Sequence, residues 1–149
     1  MKIGIGSDHG GFALKEELKA FMEEKNIEVI DFGTHNTASV DYPDYGEAVA
    51  KAVINGEVER GVVICGTGIG ISISANKVKG IRCALCGDVY SAKMSMAHNN
   101  ANMIALGGRV LGVDLAKEIL SAYLNWKFQA GRHERRVDKI SEIEARFMV

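Results

Sequence analysis

Five short runs of apolar and β-branched residues alternate along this chain with segments whose apolar residues recur at helical spacing. The runs are KIGIGS (2–7), EVIDFG (28–33), GVVIC (61–65), IRCALC (81–86) and NMIALGG (102–108). Between the first two, FALKEELKAFMEEK sets Leu14, Leu18, Phe21 and Met22 on one stripe with charges opposite, which predicts an amphipathic helix. A polar loop over 33–41 leads through Pro43 into a helix over 44–55, stopped by Gly56. Further helices are expected over 69–77, over 88–99 with Asp88 as N-cap, and over 113–126 with Asp114 in the first turn. Strands separated by helices require crossover connections, and crossovers make parallel strands. The expected fold is therefore α/β, a three-layer α/β/α sandwich around a five-stranded parallel sheet.

In such sheets ligands bind at the carboxyl ends of the strands. That rule selects Ser7-Asp8-His9, Phe32-Gly33-Thr34, Cys65 to Gly70, Cys86-Gly87-Asp88 and Gly107-Gly108-Arg109. A last segment lies outside the alternation. It carries Arg132, Arg135, Arg136 and Arg146, with Val137, Ile140, Ile143 and Phe147 at helical spacing. This predicts a C-terminal helix whose stripe packs either on its own domain or on a second subunit; the pattern leaves both open.

At 149 residues the chain is expected to be a single domain over 1–149, large enough to bury a core without staples. A net charge of −1 provides no bulk attraction for nucleic acid or anionic lipid. No apolar run approaches the ~20 residues that cross a bilayer, and the first residues lack the apolar region of a signal peptide. With an odd number of cysteines, three, these features predict free thiols in a reducing cytoplasm.

Gly66, Gly68 and Gly70 are spaced G-x-G-x-G directly after the third strand. Ile71 stands where a dinucleotide fingerprint needs glycine, and no Gly-Lys-Ser/Thr follows, so neither standard phosphate loop is present. The loop is either an anion hole of backbone N–H groups or a tight turn that glycine serves sterically. Cys65, just before it, is either a nucleophile or base favoured by a helix N-terminus, or an inert buried thiol. Cys83 and Cys86 fall inside a strand, where residues three apart point to opposite faces; they are expected to be core. His9 and His98 are candidates on the ligand side. The histidines at 9, 35, 98 and 133 form no close pair, so no metal site is expected. Arg132 and Arg136, four apart on one helical face, either grip a phosphate or form a solvated patch; Arg109 is a third candidate. Lys15 and Lys19 read as solubilising surface charges.

The stretches SDHGGFALK, DYPDYG, ICGTGIGISISANK, AHNNANMIALGGR and GRHERRV, in that order, resemble the ribose-5-phosphate isomerase B family. The family includes allose-6-phosphate isomerases and galactose-6-phosphate isomerase subunits, and the resemblance runs from end to end. It implies a Rossmann-like subunit and a cofactor-free, metal-free interconversion of D-ribose 5-phosphate and D-ribulose 5-phosphate. It also implies homodimers, in some members paired into tetramers, with active sites shared at the subunit interface. Carried over by position, Cys65 is the base that moves a proton between C2 and C1. Some branches use a glutamate further along the following helix instead; here Ser74 stands near that position. Gly66, Thr67, Gly68, Ile69 and Gly70 match the anion hole for a cis-enediolate. His98 matches the acid of ring opening, with Thr67 as its helper. Asp8 and His9 match sugar and phosphate contacts, Asn99 a hydroxyl contact, and Arg109, Arg132 and Arg136 substrate or phosphate binders.

Removing a proton beside a carbonyl leaves charge on oxygen, which preorganised N–H donors stabilise. A tuned base contributes ~10²–10⁴-fold, and remote arginines orient the phosphate. Two alternatives stand beside this expectation. One is a six-carbon substrate such as allose 6-phosphate or galactose 6-phosphate, which pocket length would decide. The other is a non-catalytic phosphometabolite-binding module.

Overall fold

The computed structural model describes residues 1–148. In chain order the elements are β1 (Lys2–Ser7), α1 (Phe12–Glu24), β2 (Glu28–Asp31), α2 (Tyr42–Ile54), β3 (Arg60–Cys65), α3 (Ile69–Ala75), β4 (Cys83–Leu85), α4 (Val89–Ala97), β5 (Met103–Gly107), α5 (Val113–Asn125) and α6 (Arg132–Phe147). The five strands form one sheet in the order β2-β1-β3-β5-β4, parallel throughout. This is the architecture that the alternation predicts. The two edge strands are shorter than their apolar runs. β2 ends at Asp31, before Gly33 turns the chain at φ +95°, and β4 keeps only Cys83–Leu85. An edge strand has one neighbour, so fewer ladder bonds hold its ends.

Side chains alternate across the sheet. Ile3, Ile5, Val62, Ile64, Ile104 and Leu106 pack with α1, α4 and α5, while Val63, Cys65, Met103 and Ala105 pack with α2 and α3. Cys83 belongs to the second cluster and Cys86 to the first, so the C-x-x-C spacing splits across the sheet. Burial pushes the Cys83 thiol up to about 12 and the Cys86 thiol up to about 11. Both are un-ionised core thiols.

The strand order fixes where a ligand can sit. From β1 the chain steps outward to β2, then returns past β1 to β3 on its other side. The direction of winding reverses between β1 and β3, and a crevice opens outside the carboxyl ends of strands at such a switch point. Ser7 and Ile64 are register partners there. The turn after β1 therefore lies beside the glycine loop after β3.

Lys15 departs from expectation. It is not a surface charge: its side chain is fully buried, and Nζ donates to Asp31 Oδ2 at 2.6 Å and to Glu16 Oε1 at 2.9 Å. Lys19 also approaches Asp31, at 3.4 Å. Burial works against the Asp31 carboxylate, but the Lys15 hydrogen bond, the Gly33 N–H and the charges of Lys15 and Lys19 outweigh it and hold its pKa below the ordinary 3.8. A carboxylate held low stabilises the fold fully above 3.8 and loses that contribution as pH falls below it. Removing Asp31 leaves the buried Lys15 ammonium with Glu16 as its remaining carboxylate, so the expected cost is a part of the roughly 3–5 kcal/mol lost when a buried charge is left wholly unpaired. The urea midpoint of Asp31→Asn is therefore expected well below that of the wild type at neutral pH, with the gap narrowing as pH falls below 3.8. An equal gap at both pH values would show that Asp31 ionisation contributes nothing.

The C-terminal helix has one foot on its own chain. Val137 is buried, and the Gly80 N–H donates to both carboxylate oxygens of Glu144 at 3.0 Å. The rest of the predicted stripe stays uncovered: Ile140, Ile143 and Phe147 are 46%, 50% and 79% exposed.

Candidate active site

Two clusters hold the candidate residues, and they lie at opposite edges of the sheet. The first forms at the switch point. After β1, Asp8 is buried and its backbone N–H donates to Ile64 O at 3.2 Å. Its Oδ1 accepts the Gly11 N–H at 3.0 Å, which closes the turn into α1. Gly11 has no room for a side chain, because a Cβ there would come within 2.5 Å of Ile64 O. His9 is half-buried, and its Nδ1 accepts the Val40 N–H at 3.2 Å. An accepting Nδ1 leaves Nε2 as the protonated nitrogen of the neutral ring.

Across the crevice, Cys65 ends β3 with its side chain 4% exposed. Its Sγ accepts the Gly68 N–H at 3.2 Å, so the loop folds back on the sulfur and aims a backbone dipole at it. Gly68 makes that fold possible. It sits at φ +80°, and a Cβ there would lie 2.8 Å from the carbonyl carbon of Leu106. Thr67 is exposed and its Oγ1 accepts the Ile69 N–H at 3.2 Å. The loop is also tied to the end of β5: Gly108 N–H donates to Cys65 O at 2.8 Å and Arg109 N–H to Gly66 O at 2.9 Å. The Arg109 guanidinium lies across both glycine turns. A Cβ on Gly66 would be 3.4 Å from its Nη1, and one on Gly10 3.4 Å from its Cζ. Asp8, Cys65, the Gly66–Gly70 backbone and Arg109 thus gather at the switch point, with His9 next to Asp8 in the same turn.

The second cluster gathers around His98. This residue caps the end of α4, its N–H donating to Met94 O at 2.8 Å. Its ring stacks on His133 with centroids 3.9 Å apart and planes 12° from parallel. Desolvation lowers the His133 pKa, and His98, Arg132 and Arg136 lower it further. Gln129 N–H donates to Ala97 O at 3.0 Å, fastening the approach to α6 beside the same corner. Exposed Asn99 follows it in sequence, and exposed Arg132 and Arg136 lie near the stacked His133.

His98 is therefore not on the ligand side of its own sheet. It precedes Met103, which pairs with Gly61 at the start of β3, whereas Cys65 pairs with Gly107 at the far end of β5. Four residues of parallel strand separate the two levels, about 13 Å. The reason is topological: a crossover helix returns to the amino edge of the sheet, so its last residue lies opposite the ligand crevice. Within one chain Cys65 and His98 do not meet.

Two further contributors carry little sequence signal. The Tyr42 ring lies against Gly70, where a Cβ would come within 2.6 Å of it. Val40 holds His9 from a polar loop 31 residues away. An apolar cavity of about 420 Å³ lies beside Thr67 and Ile69, lined also by Leu85, Cys86, Val110 and Leu111. Asp8, His9 and Cys65 do not line it. Among the described residues no three His, Cys, Asp or Glu converge as metal ligands.

The ribose/galactose isomerase family profile matches residues 3–140. Ribose-5-phosphate isomerase B of Escherichia coli (strain K12) is 50% identical over 145 residues, covering 97% of each chain. A D-erythrulose-4-phosphate isomerase of Pectobacterium atrosepticum is 42% identical over 145 residues, covering 97% of this chain and 95% of that one. The solved structure of ribose-5-phosphate isomerase B from Clostridium thermocellum superposes with a TM-score of 0.98 at 60% identity, covering 99% of both chains.

Proposed function

The chain belongs to the ribose/galactose isomerase family, and from that membership we propose that it interconverts D-ribose 5-phosphate and D-ribulose 5-phosphate in the non-oxidative pentose phosphate pathway, with the whole chain, 1–149, acting as one sugar-phosphate isomerase domain. It is an aldose–ketose isomerase. The observation that carries the mechanism is the Cys65 sulfur at the switch point, facing the Gly68 N–H. In the open-chain aldose, a Cys65 thiolate takes the proton from C2. The electron pair moves toward the carbonyl oxygen and gives a cis-enediolate. Returning the proton to C1, with proton exchange between the two oxygens, gives the ketose. We assign the Gly66–Gly70 loop as the anion hole for the enediolate charge, through its N–H groups other than those of Gly68 and Ile69, which Cys65 Sγ and Thr67 Oγ1 accept. Asp8 and His9 hold sugar hydroxyls, and Arg109 supplies a cation at the same crevice.

Ring opening needs an acid for the ring oxygen, and we assign it to His98 with Thr67 assisting. The placement of His98 toward the amino edge, with about 13 Å of strand between the Met103 level that follows it and the Cys65 level, supports a homodimer with shared sites. There, the partner subunit's His98, Asn99, Arg132 and Arg136 complete the crevice around Cys65, the two arginines gripping the phosphate. The exposed stripe of α6 supports the same assembly, because a row of apolar residues at helical spacing calls for a covering surface. Three free thiols suit a reducing cytoplasm, where we place the enzyme.

A coupled assay on four-, five- and six-carbon aldose phosphates, with a metal chelator present, tests this. The expected result is the highest kcat/KM on ribose 5-phosphate, unchanged by chelation. A chain that turns over only another chain length would overturn the substrate. Loss of activity on chelation would overturn the metal-free mechanism.

A further inference from the structure

We propose that Asp31, held by buried Lys15, is a positioning residue for the substrate crevice, acting through the Gly33 N–H on Asp8 and His9. The proposal rests on the assignment of Asp8 and His9 to substrate binding. Asp31 touches neither. Its two oxygens have different partners: Oδ2 takes the Lys15 ammonium at 2.6 Å, and Oδ1 accepts the Gly33 N–H at 2.8 Å. Gly33 O in turn accepts the Ser7 N–H at 2.6 Å, and Thr34 N–H donates to Ser7 O at 2.7 Å. Both backbone groups of Ser7, the residue before Asp8, are thus bound to the segment that Asp31 anchors. The loop beginning there extends to Val40, whose N–H fixes His9 Nδ1. Lys15 reaches the same turn from the other side, its N–H donating to Gly11 O at 2.8 Å, and Gly11 N–H holds Asp8 Oδ1. Asp31 and Lys15 therefore bracket the Asp8–Gly11 turn, from β2 and from α1.

Stability alone does not account for a pair of this kind. Well-packed apolar residues of similar volume usually serve a fold as well as a buried ion pair does. What an apolar residue at position 31 cannot supply is an acceptor for Gly33. Gly33 also needs its glycine backbone: it sits at φ +95°, and a Cβ there would lie 3.1 Å from the Tyr45 ring. Freed from Asp31, the start of the loop has fewer bonds to hold it against Ser7.

Two double variants separate positioning from stability. Lys15→Met/Asp31→Asn, the amide variant, removes both charges and keeps an oxygen for Gly33. Lys15→Met/Asp31→Leu, the apolar variant, removes both charges and the acceptor. With both chains folded by thermal melt, the apolar variant is expected to show a KM for ribose 5-phosphate raised roughly tenfold with kcat within about threefold of wild type, while the amide variant stays within about twofold on both, the size of loss expected for one substrate-orienting contact. Amide hydrogen exchange supplies a readout independent of isomerisation. Protection of the Thr34 and Val40 amides is expected to fall by roughly tenfold or more in the apolar variant and to persist in the amide variant. Should the apolar variant not fold, Lys15→Met/Asp31→Ala removes the acceptor without adding bulk and takes its place. Equal KM values and equal Val40 protection in the two folded chains would overturn the proposal. A wild-type protein inactive on every sugar phosphate would instead overturn the isomerase mechanism, and the exchange data would still decide whether Asp31 holds the loop.

Discussion

Cys65→Ser is expected to melt close to the wild type and to lose about 10²–10⁴-fold in kcat on ribose 5-phosphate, the contribution of a positioned base. Cys65 is 4% exposed and belongs to the core cluster with Val63, Ile71, Met103 and Ala105, and its sulfur accepts the Gly68 N–H. Serine is slightly smaller and still offers an acceptor, so the Gly68 donor is not orphaned. A hydroxyl gives up its proton far less readily than a thiol, so it cannot supply the anion that removes the C2 proton at neutral pH. Cys65→Ala should lose as much activity but also some stability, because the Gly68 N–H then loses its partner, a cost of about 1–3 kcal/mol for a buried donor. The difference between the two melting temperatures measures the structural role of the sulfur, and the activity they lose in common measures its chemical role. In heavy water the wild type should introduce deuterium from solvent at the carbon that receives the proton, and both variants should not. A serine enzyme with near wild-type turnover would remove Cys65 from the mechanism.

Much of this crevice is legible in the sequence because the α/β rule converts order into position. Once strands and helices alternate, residues directly after β1 and β3 must lie at the carboxyl edge, and Asp8, His9 and Cys65 fall there. The G-x-G-x-G spacing also marks a real backbone need, since Gly68 adopts φ +80°. What the sequence hides is non-local pairing. Lys15 lies next to Leu14 in a charged helix and looks like a solvent-facing residue; its partner Asp31 is 16 residues away on a strand. Similarly, nothing local ties Val40 to His9 across 31 residues. His98 misleads for a different reason. A histidine near a glycine-rich strand looks catalytic wherever it stands, but the end of a crossover helix belongs to the amino edge of the sheet. Resemblance to known isomerases proposes its role; topology shows that within one chain it lies at the opposite edge of the sheet from Cys65.

That separation leads to a complementation result. Cys65→Ser and His98→Asn, purified apart, are each expected to be at least ~10²-fold below wild type, since each lacks one acid–base group. Co-expressed with different tags and captured as mixed dimers, they should recover. In a two-fold dimer with shared sites, one crevice of the mixed dimer takes Cys65 from the His98→Asn subunit and His98 from the Cys65→Ser subunit, and is intact. The other crevice carries both defects. Mixed dimers then hold half the wild-type number of working sites, and a random mixture, about half of it mixed dimers, shows about a quarter of wild-type activity. If both groups instead acted within one chain, every crevice would keep one defect and mixing would leave activity at the average of the two parents. The Arg132→Ala and Arg136→Ala variants should complement Cys65→Ser and fail to complement His98→Asn, because α6 and His98 occupy the same corner of the chain through the His98–His133 stack. Arg109→Ala should behave in the opposite way, since its guanidinium lies on Gly66 beside Cys65. The pattern across these pairs assigns each residue to one side of the shared crevice without a structure of the assembly, and recovery between Cys65→Ser and Arg109→Ala would contradict it.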